Sequence, residues 1–305
     1  MPEISFFESR LNDICGSDSV KKSVPMSEHT TFRTGGPADY YVIPKDRETF
    51  LQLIRYMKQS EREYFILGKG SNILVGDKGY RGTVVDTSEA LKDVVIEEEM
   101  ITAGAGAYLA AVANMAADAS LTGMEFASGI PGSIGGAVFM NAGAYGGEMS
   151  MIVSSVEVIE PSGEVINILG SEMGFGYRTS VAQREGFAVI SAELRLQKGS
   201  REEIYAKIKD LGMQRAKKQP LDFPSAGSTF KRPEGYFAAK LITDTGLSGL
   251  TIGGARVSPK HNGFIINLGN ATSADILDLI EEVRERVKAK FGVELEPEVR
   301  IIGNF

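Results

Sequence analysis

Between residues 47 and 60, apolar side chains recur at Phe50, Leu53, Ile54 and Met57, the three-and-four spacing that gathers them on one face of a helix. The spacing returns at Leu109, Val112 and either Met115 or Ala116, inside an alanine-rich helix expected over 107–119. It returns again at Ile276, Ile280, Val283 and Val287, in the longest expected helix, 273–291, with Thr272 or Ser273 as its cap and Gly292 as its stop. Two more helices are expected. One covers 201–218 and gathers lysine and arginine in its last turn, where cations suit the helix dipole; the other covers 237–245 and ends at Gly246. Period-two or short unbroken apolar runs predict strands. Two flank the loop GKGSN (68–72), and others fall at 83–86, 94–106 and 188–196. Alternating runs on either side of PSGE form a hairpin, and ELEPEVRII closes the chain as a strand. The proline-bounded PLDFP, near residue 219, marks a change of texture. The pattern is therefore α+β: a glycine-rich body to about residue 200, then a smaller α+β domain.

Composition narrows the function classes. The chain has 305 residues, 43% hydrophobic and 24% charged, which suits roughly two globular domains. A net charge of −7 argues against nucleic-acid binding, which calls for a basic face, but leaves room for a small anion held by local cations. Cys15 is the only cysteine, so no internal disulfide and no cysteine-rich zinc site is expected, and no metal is expected. The opening MPEISFFESRLND lacks the pattern of a secretory signal, and no run approaches the roughly 18 apolar residues of a membrane helix. A cytoplasmic protein without membrane insertion is the expectation.

The 35 glycines are clustered. GKGSN and SGIPGSIGG (128–136) are the densest loops. Glycine lets backbone N–H groups converge on an anion with no Cβ in the way. Neither loop is GxxxxGK[ST], and neither completes GxGxxG, so the dinucleotide fingerprints are absent. Each alone reads as a tight turn. Two such loops with Asn72 and Asn141 nearby make a phosphate cradle an equal alternative.

Several segments together carry a resemblance. TTFRTGGPADYY (30–41), ILGKGSNILV (66–75), GMEFASGIPGSIGGAVFMNAGAYGG (123–147), GYRTS (176–180), GSTFKRP (227–233), KHNGFIIN (260–267) and LEPEVRIIG (295–303) resemble, in the same order, the UDP-N-acetylenolpyruvoylglucosamine reductases, the MurB family, in its shorter form (type II). The resemblance implies a vanillyl-alcohol-oxidase-type (PCMH-type) FAD-binding fold of two subdomains, about 25–100 and 101–200, within a region 1–200. A C-terminal α+β substrate-binding domain, 201–305, follows. FAD then lies between the two subdomains, its pyrophosphate against the glycine loops, with Gly68, Lys69, Gly70, Ser71, Asn72, Ser128, Gly129, Pro131, Gly132, Gly136 and Asn141 as contacts and Arg300 approaching the flavin. Covalent attachment, where the wider fold group has it, commonly uses histidine. His29 and His261 belong to other motifs here, so FAD is expected to be noncovalent.

The family reaction reduces an enolpyruvyl ether on a UDP-sugar, with NADPH as co-substrate. Hydride passes from flavin N5 to the β-carbon, and a proton goes to the α-carbon. By the resemblance Ser228 gives that proton, Arg178 grips the substrate carboxylate with its fork, and Glu298 is the catalytic acid. A carboxyl beside a carboxylate substrate makes sense if it is protonated or shares a proton. Tyr177, Arg215, Lys218, Lys231, Lys260 and His261 are the candidate substrate contacts. Arg232 stands where larger relatives carry asparagine, and the inserted loop whose tyrosine closes over the substrate is missing. Taken alone these residues read more plainly: Ser228 as a turn residue, Arg178 as a surface cation, Arg215 and Lys218 as helix-end cations. Glu298 falls in a solvent-facing row with Glu294 and Glu296. An FAD oxidase or dehydrogenase of a small alcohol would need the glycine loops but not GSTFKRP or LEPEV; a non-catalytic nucleotide-sugar module would not need Arg178, Ser228 and Glu298 together. The expected partner is the small-molecule UDP-sugar, with no nucleic acid, and the protein is expected to be a monomer or weak oligomer.

Overall fold

The computed structural model describes residues 2–305, with side chains from residue 6 onward. The chain divides into two compact units. The first comprises residues 1–22, 40–69 and 82–214; the second comprises 23–39, 70–81 and 215–305.

The first unit contains α1 (Pro2–Cys15), α2 (Arg47–Gln59), α3 (Leu109–Asp118), the short α4 (Ile134–Phe139) and α5 (Val181–Arg184), and most of α6 (Arg201–Lys218). In α2, Phe50, Leu53, Ile54 and Met57 are fully buried, and Asp46 caps the start by accepting from the Thr49 N–H at 2.8 Å. In α3 the alternative resolves to Ala116, which is fully buried while Met115 stays exposed. An antiparallel five-stranded sheet runs in the order Val165–Leu169, Val153–Ile159, Ala188–Arg195, Met100–Gly104, Val94–Glu97. The single strand expected over 94–106 is thus a hairpin. Glu98, with φ +54°, turns the chain between its two halves, a left-handed turn that an apolar count does not register. The other sheet has the order Val20–Pro25, Pro37–Val42, Tyr80–Asp86, Tyr64–Leu67, its last two strands parallel with Tyr64 opposite Thr83. One continuous core joins α1, α2, α3 and both sheets. Cys15 lies in that core, where burial pushes its thiol up to about 11; it is an inert packing residue.

The second unit builds its core on α8 (Ser273–Phe291) and α7 (Ala238–Thr245). Ile276, Ile280, Val283 and Val287 are all fully buried, as the helical spacing predicts. Thr272 caps α8 in a capping box with Asp275, and Gly292 ends it at φ +70°. Asp77 accepts from the Ser273 and Ala274 N–H groups at 2.8 and 2.9 Å, so a residue almost two hundred positions earlier also serves this helix start. A three-stranded antiparallel sheet has the order Thr251–Ile252, Ala255–Val257, Ile265–Asn267. Ile73–Val75 pairs in parallel with Arg300–Ile302, Ile73 opposite Arg300. The closing strand is shorter than ELEPEVRII suggests, because the preceding residues 296–298 pair with 229–231 instead. Residues 70–81 join this unit through that pairing and through Asp77. Among the described residues no helix is long and apolar enough to cross a membrane.

Candidate functional site

The candidate residues fall into two groups, one in each unit. In the first unit the two glycine loops converge. A Cβ on Gly68 would lie 2.2 Å from Ser133 Oγ. Ser133 caps α4, its Oγ accepting from the Gly136 N–H at 3.4 Å. The Leu109 N–H donates to the Gly132 carbonyl at 2.9 Å, and Tyr108 pairs with Ser133. Lys69 is exposed, its ammonium 5.8 Å from the centre of the Tyr108 ring. Gly129, Pro131 and Gly136 are exposed, while Ser128 is half-buried and donates its hydroxyl to the Glu125 carbonyl at 2.8 Å.

Asn141 lies beside these loops with a different task. It is 1% exposed, its Nδ2 donates to the Gly176 carbonyl at 3.0 Å, and its Oδ1 accepts from the Ser150 N–H at 2.9 Å. The Nδ2 end thus holds the turn that carries Tyr177 and Arg178, and the Oδ1 end ties the side chain to Ser150. In that turn Gly176 and Thr179 exchange N–H donors at 3.1 and 3.3 Å, with Arg178 at φ +57°. A non-glycine residue in this region is costly and tends to mark functional positions. The Arg178 guanidinium donates to the Gly143 carbonyl at 3.1 Å and sits 5.1 Å from the centre of the Tyr177 ring.

In the second unit, Ser228 and Glu298 are drawn together through the main chain. Phe230 bridges Pro297 in antiparallel sense. The Glu298 N–H donates to the Thr229 carbonyl at 2.8 Å, and the Lys231 N–H to the Glu296 carbonyl at 2.8 Å. Glu298 is therefore held opposite the neighbour of Ser228, in a chain reversal that needs Gly227 at φ +78°. Glu294 and Glu296 are exposed, as their alternation predicts; Glu298 is half-buried, as is Ser228. The Lys231 ammonium pairs with the Glu296 carboxylate. The Arg232 guanidinium lies 4.5 Å from the centre of the exposed Phe237 ring.

The loop 68–72 continues into this unit. Gly70, at φ +60°, would place a Cβ 1.9 Å from the His29 carbonyl oxygen, so only glycine fits. Its carbonyl accepts from the Thr31 N–H at 3.0 Å. Asn72 Nδ2 donates to the Glu298 carbonyl at 3.1 Å, and the Asn72 carbonyl accepts from the Arg300 N–H at 3.0 Å. Arg300 and half-buried Ser71 flank this contact in sequence. The Lys260 ammonium donates to the Ala216 carbonyl at 2.7 Å, serving the C-terminal turn of α6, where Arg215 is half-buried and Lys218 exposed. His261 accepts from the Gly263 N–H at Nδ1 (3.2 Å) and packs edge-on to Phe264; burial holds its pKa below the usual histidine range.

These features fit a nucleotide cofactor. The first loop is anchored through carbonyls, at Leu67, Gly70 and Asn72, the arrangement that keeps N–H groups available to an anion; the second is anchored at the Gly132 carbonyl and also through the N–H groups of Ser128, Ile130, Ile134, Gly135 and Gly136. The Thr31 hydroxyl, beside Gly70, is buried without a hydrogen-bond partner. Nothing local in the TTFRTGG segment marks Thr31, because a buried donor lacking a partner is visible only in three dimensions.

Comparison with known proteins gives the same reading. Residues 38–169 match the FAD binding domain family, and residues 219–302 match "UDP-N-acetylenolpyruvoylglucosamine reductase, C-terminal domain". The UDP-N-acetylenolpyruvoylglucosamine reductase of Caldanaerobacter subterraneus subsp. tengcongensis is 50% identical over 294 residues, 96% of this chain and 97% of that protein. The protein of the same name from Clostridium tetani is 50% identical over 297 residues, 97% of this chain and 96% of that protein. The crystal structure of the Thermus caldophilus enzyme, MurB, superposes with a TM-score of 0.78 at 35% identity, covering 93% of this chain and 98% of that one.

Proposed function

Because this chain belongs to the UDP-N-acetylenolpyruvoylglucosamine reductase family, oxidoreductases with an FAD-binding domain, we propose that it uses NADPH to reduce the enolpyruvyl ether of UDP-N-acetylglucosamine to UDP-N-acetylmuramate. That product serves peptidoglycan precursor synthesis in the cytoplasm. The observation that supports the reading is the pairing of 229–231 with 296–298, which registers the Glu298 main chain against Thr229, the residue after Ser228.

When bound, FAD supplies two-electron chemistry, with NADPH the donor and the enolpyruvyl β-carbon the acceptor. Backbone N–H groups of Gly68, Lys69, Gly70, Ser71 and Asn72, and of Gly129 and Gly132, would hold its pyrophosphate noncovalently; Ser128, Pro131 and Gly136 would shape the second loop around it, and Thr31 would donate its hydroxyl. Asn141 acts on the site through the turn it holds, and Arg300 lies toward the flavin. We assign cofactor binding to residues 1–200, with subdomains 25–100 and 101–200, and substrate binding to 201–305.

The protein's own part is acid catalysis and charge stabilisation. As the β-carbon is reduced, negative charge builds on the α-carbon and its carboxylate. Arg178 grips that carboxylate with two parallel N–H donors. Its main chain is already fixed in the left-handed turn, so little order is lost as charge develops. Ser228 holds the proton that reaches the α-carbon. A hydroxyl is a weak acid, yet an enolate is basic enough to take its proton, so no histidine is required. Glu298 carries or shares a proton beside the growing charge and keeps two anions from facing each other. Lys231, Arg215, Lys218, Lys260 and His261 serve the UDP-sugar, with Tyr177 beside the sugar ring. NADPH and the UDP-sugar take turns in one cleft, and the enzyme works as a monomer or weak oligomer.

Mass spectrometry of the product tests the reading. Incubated with NADPH, the protein should convert the enolpyruvyl UDP-sugar to a product two hydrogens heavier. Recovery of unchanged substrate from flavin-loaded protein would refute it.

A further inference from the structure

Glu298 has both of its peptide groups fixed by other segments. Its N–H goes to the Thr229 carbonyl at 2.8 Å, within the pairing that sets it opposite the residue after Ser228. Its carbonyl accepts from the Asn72 side chain at 3.1 Å. Asn72 takes a second hold two residues on, where its own carbonyl accepts the Arg300 N–H at 3.0 Å and begins the parallel pairing of Ile73–Val75 with Arg300–Ile302. The Glu298 N–H is taken by Thr229, so the main-chain parallel ladder goes no further back than Arg300, and the Asn72 side-chain amide adds the contact at the Glu298 carbonyl.

The chemistry of this contact is selective. The donor must reach a carbonyl across one strand spacing, which Asn Nδ2 does. An aspartate has the same shape but would set an oxygen against an oxygen. Asn72 is also the last residue of the glycine loop GKGSN, whose preceding residues are Gly70, packed at φ +60° against the His29 carbonyl, and Ser71. A ligand ordering that loop therefore orders Asn72, and Asn72 orders the peptide from which the Glu298 side chain projects.

We infer that Asn72 is a positioning residue for Glu298, and that cofactor occupancy of the glycine loop sets the geometry of that carboxyl group. The inference rests on the reading that Glu298 acts in the reduction. FAD binding then does more than bring in a redox group: it tightens an acid that lies 226 positions further along the chain.

Hydrogen exchange of the full-length protein, with and without FAD, reads this coupling directly. In the wild type, FAD should slow exchange of the Glu298 and Arg300 amides by about tenfold, within the usual range of coupling between sites. Asn72→Ala should lose most of that slowing while the peptide covering 60–71 still responds to FAD. The nearly isosteric Asn72→Asp, which keeps the shape and loses the donor, should behave likewise and covers the case in which the alanine variant fails to fold. In stopped flow, both variants should lose more in reoxidation by the enolpyruvyl UDP-sugar than in reduction by NADPH, by a ratio on the order of tenfold. Undiminished FAD-dependent protection of Glu298 and Arg300 in the variants would overturn the coupling. So would equal losses in the two half-reactions, which mark a merely structural or cofactor-holding residue. If wild-type protein is not reoxidised by the enolpyruvyl UDP-sugar, the proposed reaction is wrong, and the exchange measurement alone still decides the coupling.

Discussion

The main-chain N–H of Glu298 donates to the carbonyl of Thr229 at 2.8 Å, so an acid seven residues from the end of the described chain is registered against the residue after Ser228. The two motifs GSTFKRP and LEPEV are one structural feature, a short antiparallel pairing around Phe230 and Pro297. What each side chain does in the proposed reaction can be separated by experiment.

Ser228→Ala removes the proposed proton donor and leaves the pairing of 229–231 untouched. Reduction of the bound flavin by NADPH should stay within a few-fold of wild type, while reoxidation by the UDP-sugar slows by ~10²-fold or more, the usual scale for loss of a general acid. Reoxidation at the wild-type rate would remove Ser228 from the mechanism.

Glu298→Ala should lower turnover on the order of 10²-fold and change substrate affinity much less, because its role is confined to the transition state. Binding of the UDP-sugar, followed by quenching or shift of the flavin spectrum, supplies the affinity. A loss confined to affinity would make Glu298 a contact and nothing more.

Gly70→Ala places a methyl group 1.9 Å from the His29 carbonyl oxygen at φ +60°. The strained backbone alone costs on the order of 1–3 kcal/mol, and relief of the collision must move the loop. Urea unfolding should show a lower midpoint, and the purified variant should retain less FAD. Wild-type stability with full flavin content would show that the loop is freer than described.

His261 gives a pH dependence of known sign. Burial holds its folded-state pKa below the ordinary value of 6.5, so the unfolded chain takes up the proton first as pH falls. Its contribution to stability is complete above about 6.5 and declines as pH drops through the folded value. Between about pH 7 and pH 5 the wild type should lose stability more steeply than His261→Phe, which keeps the edge-on packing against Phe264. Parallel stability curves would contradict the assignment.

The elements that could be read from the chain are those fixed by near neighbours. Phe50, Leu53, Ile54 and Met57 set the face of α2, and the chain from Thr272 to Gly292 marks both ends of α8, because caps and periodicity are local. The hairpin inside 94–106 was missed because its turn rests on Glu98 in a left-handed conformation, which glutamate seldom signals. α1 was not anticipated either; Phe7 and Leu11 are too few to mark a helix until the core they enter is known. The site was legible only through motif resemblance. Periodicity placed Glu298 in a solvent-facing row, and nothing local links Asn72 to Glu298 or Asp77 to the start of α8. Pairings across such separations depend on the whole fold, as does the anchoring role of Asn141, a residue that its place beside a glycine loop suggested for the cofactor.

Anaerobic half-reactions test the central claim most directly. Purified protein should be yellow and release FAD on denaturation. NADPH should bleach it, and UDP-N-acetylglucosamine enolpyruvate, added without oxygen, should restore the colour with one equivalent of UDP-N-acetylmuramate formed per flavin. Flavin that bleaches with NADPH but stays reduced in the presence of that UDP-sugar, while oxygen still recolours it, would contradict the account.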